Sequence, residues 1–172
     1  MFKSRKRIRL LVLVTAFLML LTMILPCGAA YEQRVGNRFY RATTLSPVKH
    51  IQPLYNTQAQ HTKGYTTTIH VSTSVTKTES VDVTLTIGFS YFVEANTSLG
   101  VTQSESFTVE AGVAYTIDPI IPTAMYRISV RFPGHSVRYE VWDYDEQERL
   151  EWEVVDYMPD RNASAYFLEE YA

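Results

Sequence analysis

The chain has 172 residues, of which 46% are apolar and 20% are charged, and its formal net charge is −2. These values exclude a disordered chain and a collagen-like repeat, and they fit one domain of ordinary size. The first 30 residues hold five basic residues and no acidic one, whereas the remainder carries 11 basic and 18 acidic residues, a formal charge of −7. So acidic a chain is not expected to bind nucleic acid.

Residues 1–30 have the layout of a secretory signal peptide: a basic start, an apolar run over 10–25, then Pro26 and small residues that end at Ala30. A helix over that run would span about 24 Å, less than the ~30 Å hydrocarbon core, so a membrane anchor formed by an uncleaved signal is the less favoured alternative. We expect export with cleavage after Ala29 or Ala30. The only cysteine, Cys27, would leave with the signal, so the mature chain would have no disulfide.

The rest of the chain divides by composition into a lead-in and one β domain. Residues 31–64 show the period of neither a helix nor a strand, and we interpret them as an irregular lead-in with one edge strand. Residues 65–172 are predicted to form a single antiparallel β domain. Ser and Thr provide 19 of the 47 residues from Thr62 to Thr108, alternating with apolar side chains, as is typical of strands.

The clearest alternation lies at residues 81–95, where every odd position is apolar and the even positions are polar or glycine except Phe92. A period of two predicts a strand with one face exposed to water. The same reasoning predicts the neighbouring elements in chain order: strands over 65–76 and 81–92 joined by a turn at 77–80, a turn at 94–100, a strand over 101–110, and a strand from 113.

The C-terminal zone, residues 126–172, is rich in aromatic and acidic residues. Alternation predicts strands over 126–132 and 137–141 with a turn at Pro133-Gly134 between them, and a partner strand from Leu150 across an acidic loop at 143–149. This loop lacks the spacing of a calcium-binding loop, so we interpret it as a solvated hairpin. Altogether we predict an all-β fold, an antiparallel meander of about seven strands forming a sandwich or an elongated twisted sheet.

The sequence shows no catalytic arrangement. It has no Gly-x-Ser-x-Gly elbow, and the Ser-x-x-Lys string at Ser74 lies in an alternating stretch rather than at the start of a helix. The four histidines lack the spacing of metal ligands, and we expect them on the surface. They are His50, His61, His70 and His135. We therefore expect a protein that is not an enzyme and needs no cofactor.

Aromatic side chains on an exposed sheet face can stack on sugar rings. The best-placed residues for such stacking are Trp142, Tyr144 and Trp152. The first two fall on the strand phase opposite to the apolar positions 137, 139 and 141, so they are predicted to point outward. The alternative is that both tryptophans belong to the core.

Residues 65–115 alternate Ser or Thr with Val or Ile, and residues 99–112 read Leu-Gly-Val-Thr-Gln-Ser-Glu-Ser-Phe-Thr-Val-Glu-Ala-Gly. This style resembles the Ser/Thr-rich sheets of aerolysin-like secreted β-pore-forming proteins, and it is similar to many small uncharacterised exported proteins of Gram-positive bacteria. The resemblance implies a long twisted sheet and, in the pore-forming members, a hairpin that enters membranes after oligomerisation. Under that interpretation the residues of the membrane hairpin are Val71, Val75, Val81, Val83, Leu85, Ile87 and Phe89.

Two functions are consistent with these patterns. The favoured one is an exported, non-enzymatic β-sheet protein that binds or supports structure at the cell envelope or outside the cell, with an envelope polysaccharide or a protein as partner. The alternative is an aerolysin-like pore formed by a homo-oligomer. It is less favoured because Lys77 and Glu79 would have to cross the bilayer in the predicted turn, and Glu105 would lie on the lipid-facing side.

Overall fold

The computed structural model describes residues 28–85 and 89–171. In this part of the chain the strands are β1 (Ala30–Val35), β2 (Arg38–Pro53), β3 (Ala59–His61), β4 (Thr67–His70), β5 (Val75–Ser80), β6 (Ser104–Val109), β7 (Ala114–Ile117), β8 (Ala124–Asp143), β9 (Glu148–Pro159) and β10 (Ala165–Tyr171). One helix, α1, spans Phe89–Leu99, and a 3-10 turn covers Tyr55–Thr57. All strand pairs here are antiparallel, so the predicted all-β class is confirmed, with ten strands in place of about seven.

The 20-residue strand β8 is the centre of a six-stranded sheet. Its first half pairs with β10, β3 and the end of β2. Its second half pairs with β9 and the beginning of β2, and β1 adds to the outer edge of β2. A strand of this length lets one chain segment carry two separate packing surfaces.

The strand β8 runs through Pro133-Gly134, so the turn predicted there is wrong. The pairing of β8 with β9 shifts its register between His135 and Val137. A β-bulge inserts one residue and thereby moves the buried face from even to odd positions without reversing the chain. This explains why Phe132 and Val137 are both fully buried although their spacing breaks the period of two.

Residues 31–64 also differ from the predicted irregular lead-in, because they form β1, β2 and β3. The strand β2 buries alternate side chains, Tyr40, Ala42 and Thr44, against the core. Its prolines obscured the pattern, since one lies at a register shift opposite β8 and the other ends the strand. These are positions at which a strand tolerates the missing N–H of proline.

Residues 67–81 and 103–117 form one long ribbon outside the main sheet. In both β4–β7 and β5–β6 the residue numbers of every pair sum to 184, from Thr67–Ile117 to Ser80–Ser104. Val81 N extends this ladder by donating to Gln103 O at 2.8 Å. The strand predicted from 113 and much of that over 101–110 are therefore present, but the predicted turn at 77–80 is part of β5.

The outer face of the ribbon carries paired hydroxyl groups. The cross-strand oxygen distances are 2.8 Å for Thr76–Thr108, 2.8 Å for Thr78–Ser106 and 3.3 Å for Ser80–Ser104. The opposite face packs on the first half of β8 through a cluster of buried residues, Leu54, Ile69, Val71, Val109, Ile117, Tyr126, Ile128, Val130, Phe132 and Tyr157. The Ser/Thr alternation is thus the alternation of a two-sided ribbon.

The strand predicted over 81–92 is wrong, because residues 89–92 lie in the helix α1 and residues 81–85 are not in a strand. Residues 86–88 lie outside the described residues. The predicted turn at 94–100 is likewise mostly helix. Phe92, Ala95 and Asn96 are all buried, and their spacing places them on one side of a helix. The ring of Phe92 meets that of Tyr139 edge to face, with 4.9 Å between centroids. Packing on the sheet therefore overrides the local preference for a strand.

The helix covers the second half of β8 through its own group of buried residues. They are Tyr40, Ala42, Leu85, Phe92, Ala95, Val101, Val137, Tyr139, Val141, Val155 and Met158. The Tyr139 hydroxyl donates to Asn96 Oδ1, and burial raises the pKa of this phenol. One face of the main sheet is thus covered by the ribbon at one end and by α1 at the other.

An ion pair holds β10 to β8. Arg127 Nε donates to Glu169 Oε2 at 2.7 Å and Ser129 Oγ donates to the same oxygen at 2.6 Å, and the Arg127 contact lowers the Glu169 pKa below its ordinary 4.5. A carboxylate with a lowered pKa stabilises the folded state fully at pH values above its unfolded-state pKa. This stabilisation is lost as the pH falls through the folded-state pKa.

In urea titrations, Glu169→Gln should therefore lower the free energy of unfolding by about 1–3 kcal/mol at pH 7. On acidification below pH 4.5, the variant should lose less further stability than the parent. Equal losses for both proteins would contradict this assignment.

Candidate functional site

A surface depression of about 240 Å³ lies at one end of the main sheet, where β2 begins and β8 ends. The residues that line it are Phe39, Arg41, Trp142, Asp143, Tyr144 and Gln147. Two of the three aromatic residues predicted to stack on a ligand, Trp142 and Tyr144, therefore meet in one place. We call this feature the aromatic depression.

The pairing of β2 with β8 positions the aromatic depression on the outer face of the sheet. Phe39 lies opposite Trp142, and Arg41 lies opposite Glu140 two residues along. Their neighbours Tyr40 and Val141 are buried on the other face of the sheet. The alternation of the two strands therefore presents an aromatic cross-strand pair to the outside.

The turn between β8 and β9 forms the other wall, and Asp143 organises it. Its carboxylate accepts hydrogen bonds from Asn37 Nδ2 at 3.0 and 3.1 Å and from the amides of Asp145 and Glu146 at 3.0 and 3.1 Å. Tyr144 N in turn donates to Asn37 O at 2.8 Å. The acidic loop is thus an internally bonded hairpin turn, and the described residues contain no group of three or more His, Cys, Asp or Glu side chains placed to hold a metal ion.

Arginine side chains border the aromatic rings. Arg34 lies over the Tyr144 ring at 3.4 Å from its centroid, and Arg149 lies 5.9 Å from Trp142 and 4.8 Å from Trp152. Stacking of guanidinium on an aromatic face is attractive and restricts ring motion. The arginine contacts therefore restrict the rings of Tyr144 and Trp142.

Trp152 lies outside the aromatic depression. It pairs with Glu140 across β8 and β9, is 54% exposed, and does not line the cavity. Trp142 is half-buried, and neither tryptophan belongs to the two buried clusters. The core alternative for the tryptophans is therefore wrong, while only one of them lies at the depression.

The Trp142 indole nitrogen is buried and has no hydrogen-bond partner in the described part of the chain. Leaving such a donor unpaired costs about 1–3 kcal/mol, which Trp142→Phe would remove while shrinking the ring only modestly. We expect the free energy of unfolding of this variant, measured in urea, to stay within about 1 kcal/mol of the parent or to rise. A larger loss would contradict this expectation.

Three of the four histidines contact neighbouring side chains in the fold. His50 stacks on Tyr157 at 3.7 Å between centroids. His61, expected on the surface, is fully buried, with Nδ1 3.0 Å from Thr67 Oγ1. His135 Nδ1 lies 2.8 Å from Asp160 Oδ1, and His70 is exposed.

The residues predicted for a membrane hairpin are not arranged as one. Val71 and Leu85 are buried, Val75, Val81 and Val83 are half-buried, Phe89 begins α1, and Ile87 lies outside the described residues. The strand β5 pairs with β6 rather than with residues 81–92. Among the described helices, none has the length and apolar character needed to cross a bilayer.

Sequence reasoning missed four residues of the aromatic depression, Phe39, Arg41, Gln147 and Asp143, the last of which was interpreted only as part of a solvated loop. The first two alternate with the buried Tyr40 and Ala42, so the signal was present within the stretch interpreted as irregular. Gln147 has φ of 55° in the hairpin turn, and only the folded turn brings its side chain to the site.

No family model, curated protein or solved structure matches the chain.

Proposed function

We propose that the chain is an exported, non-enzymatic binding protein and that its aromatic depression holds a ring of a neutral envelope polysaccharide. The observation that carries this proposal is that Phe39, Trp142 and Tyr144 line one outward-facing cavity together with amide and carboxylate side chains. Aromatic faces bind the apolar faces of sugar rings, and a few fixed polar groups select the hydroxyl pattern.

The charges at the depression favour a neutral ligand. Arg41 Nε donates to Glu32 Oε1 at 2.7 Å, and the Asp143 carboxylate is occupied by Asn37 and by the amides of its own turn. Arg41 is therefore paired with an opposite charge, and the Asp143 carboxylate already accepts several hydrogen bonds. An ionic sugar would have to compete with these contacts, whereas hydroxyl groups can share them.

Three features support a protein that is not an enzyme. His50 and His61 are engaged by neighbouring rings and backbone, and His135 faces Asp160. None of these histidines lines the aromatic depression. The polar groups of the depression itself are used in shaping its walls, which suits recognition rather than proton transfer.

The proposal is tested by retention on two insoluble neutral polysaccharides, cellulose and chitin. We expect Trp142→Ala to weaken retention on the bound polymer at least about tenfold, because the stacking surface is removed. Tyr65→Ala is the matched control, since Tyr65 is 70% exposed and does not line the depression. Equal retention of both variants, with both folded, would contradict the proposal.

Export is part of the proposal and has its own test. The basic and apolar layout of residues 1–30 supports it. Mass spectrometry of protein recovered outside the cell should give a chain that begins at Ala30 or Tyr31. Full-length protein retained in the cell would contradict export by a cleaved signal.

The register of the ribbon favours a second candidate function, pore formation. Continuing the ladder beyond Val81–Gln103 would place Val83 opposite Val101 and Leu85 opposite Leu99, with a tip near Phe92. Each strand would add about ten residues, close to the ~9–11 that cross a membrane. In the returning half, residues 93–102, the odd positions are apolar except Thr97, and the even positions are polar or glycine.

Few charged side chains lie in the part of the chain that would form this hairpin. Between residues 82 and 102 the charged residues are Asp82, at its base, and Glu94, near its tip. Lys77, Glu79 and Glu105 would remain in the ribbon, outside the inserted part. The obstacle that these three residues posed in the predicted 65–92 hairpin is thereby removed.

Substitutions at two adjacent residues of α1 distinguish the membrane-inserted hairpin from the folded protein. Thr97 and Ser98 are both exposed on α1, although Thr97 Oγ1 also accepts a hydrogen bond from Arg161 Nη2 at 3.2 Å. The hairpin register would turn Thr97 to lipid and Ser98 to the lumen. A lysine facing lipid near the bilayer centre costs about 2–4 kcal/mol. Dye release from liposomes should therefore fall at least about tenfold for Thr97→Lys and little for Ser98→Lys. No dye release by the parent protein, or equal loss in both variants, would contradict this candidate.

A further inference from the structure

Residues 159–162, at the end of β9 and in the turn before β10, run beside the chain segment that leaves α1. Thr102 N donates to Pro159 O at 2.8 Å, and Arg161 N donates to Gly100 O at 2.8 Å. Between these bonds, Val101 and Asp160 form an isolated antiparallel bridge. A very short strand is thus laid against the segment between α1 and the ribbon.

The Arg161 side chain adds two contacts on the same segment. Its Nε donates to Val101 O at 2.8 Å, and its Nη2 donates to Thr97 Oγ1 at 3.2 Å. Val101 N meanwhile donates to Asn96 O at 2.9 Å. Both backbone polar groups of Val101 are therefore occupied while the helix is docked.

A longer ribbon would need these same groups. Since Val81 bonds to Gln103, the next hydrogen-bonded pair of an antiparallel ladder is Val83 with Val101. The docked helix and the longer ribbon thus compete for the backbone of Val101. The two side-chain hydrogen bonds of Arg161 are made to groups placed as they are when the helix is docked, so they stabilise the docked state.

We propose that residues 159–162 form a clasp that holds residues 97–102 in the docked state, with Arg161 as its main residue. The clasp is fixed to the main sheet, because Asp160 N donates to Pro133 O at 2.9 Å and its carboxylate contacts His135 Nδ1 at 2.8 Å. The consequence of releasing the clasp depends on the second candidate function, pore formation. The clasp itself is a property of the folded chain.

Hydrogen exchange of Arg161→Ala, in the protein as exported, tests the clasp. Loss of two side-chain hydrogen bonds should speed exchange at residues 97–101 about tenfold or more, while β8 keeps its protection. Arg138→Ala is the matched control, because Arg138 is exposed and makes no side-chain hydrogen bond or ion pair within the described residues. Unchanged exchange at 97–101, or equal acceleration throughout β8, would overturn the clasp.

A second variant and a second readout separate this proposal from pore formation. Arg161→Lys keeps the charge and loses the forked donor, so it should give an intermediate acceleration and serves if the alanine variant does not fold. Local acceleration accompanied by greater dye release supports both the clasp and the pore. Local acceleration without dye release supports the clasp and contradicts the pore.

Discussion

Replacing Phe92 with alanine should lower the free energy of unfolding by about 3–5 kcal/mol. Phe92 is 3% exposed, and its ring lies between those of Tyr40, at 6.2 Å, and Tyr139, at 4.9 Å. Truncation would remove the main contact of α1 with the sheet and leave a cavity beside a buried phenol. The measurement is urea unfolding followed by circular dichroism.

Val93→Ala is the matched control for Phe92→Ala. In the helix Val93 is 47% exposed, so its truncation should cost less than about 0.5 kcal/mol. If residues 81–95 formed the strand that their alternation predicts, the ranking would reverse, because Val93 would be buried and Phe92 would face water. A larger loss for Val93→Ala than for Phe92→Ala would therefore contradict the helix.

Gly134→Ala should destabilise the protein by about 3 kcal/mol or more. A Cβ at this position would lie 2.3 Å from Met158 O and 2.6 Å from Tyr157 Cε2. The first of these is a backbone atom of the paired strand β9, so relief requires the strands to separate where β8 changes its buried face. Thermal and urea unfolding would report the loss.

Ser136→Ala provides the comparison for Gly134. Ser136 is also buried in the bulged region and donates to Val155 O at 3.2 Å, so its loss should cost about 1 kcal/mol. If Gly134→Ala cost no more than Ser136→Ala, β8 and β9 would not approach as closely as described.

Local alternation was enough to predict the class of the fold, the hairpin at residues 143–149 and the ribbon strands that follow residues 101 and 113. It failed where two periods coexist. Residues 81–95 carry apolar side chains at every odd position and also at helical spacing through Phe92 and Ala95. Only the shape of the sheet beneath decides between them, and that shape depends on residues far away in the chain.

The other errors have similar causes. A bulge and a turn both change the phase of alternation, so the sequence around Pro133-Gly134 did not distinguish them. In β2, arginines and prolines hid an alternation of buried residues that becomes visible once β8 is its partner. Of the aromatic depression, Trp142 and Tyr144 were predicted from strand phase, whereas Phe39 is brought to them by pairing between distant segments.

The most direct test of the aromatic depression uses the fact that the chain has two tryptophans. In Trp152→Phe the emission comes from Trp142 alone, and in Trp142→Phe it comes from Trp152 alone. Titration with oligosaccharides of glucose, N-acetylglucosamine, mannose and galactose should give a saturable change in emission from Trp142 and none from Trp152. No change at Trp142 with any of these sugars, or a response confined to Trp152, would contradict the assignment of the depression as the binding site.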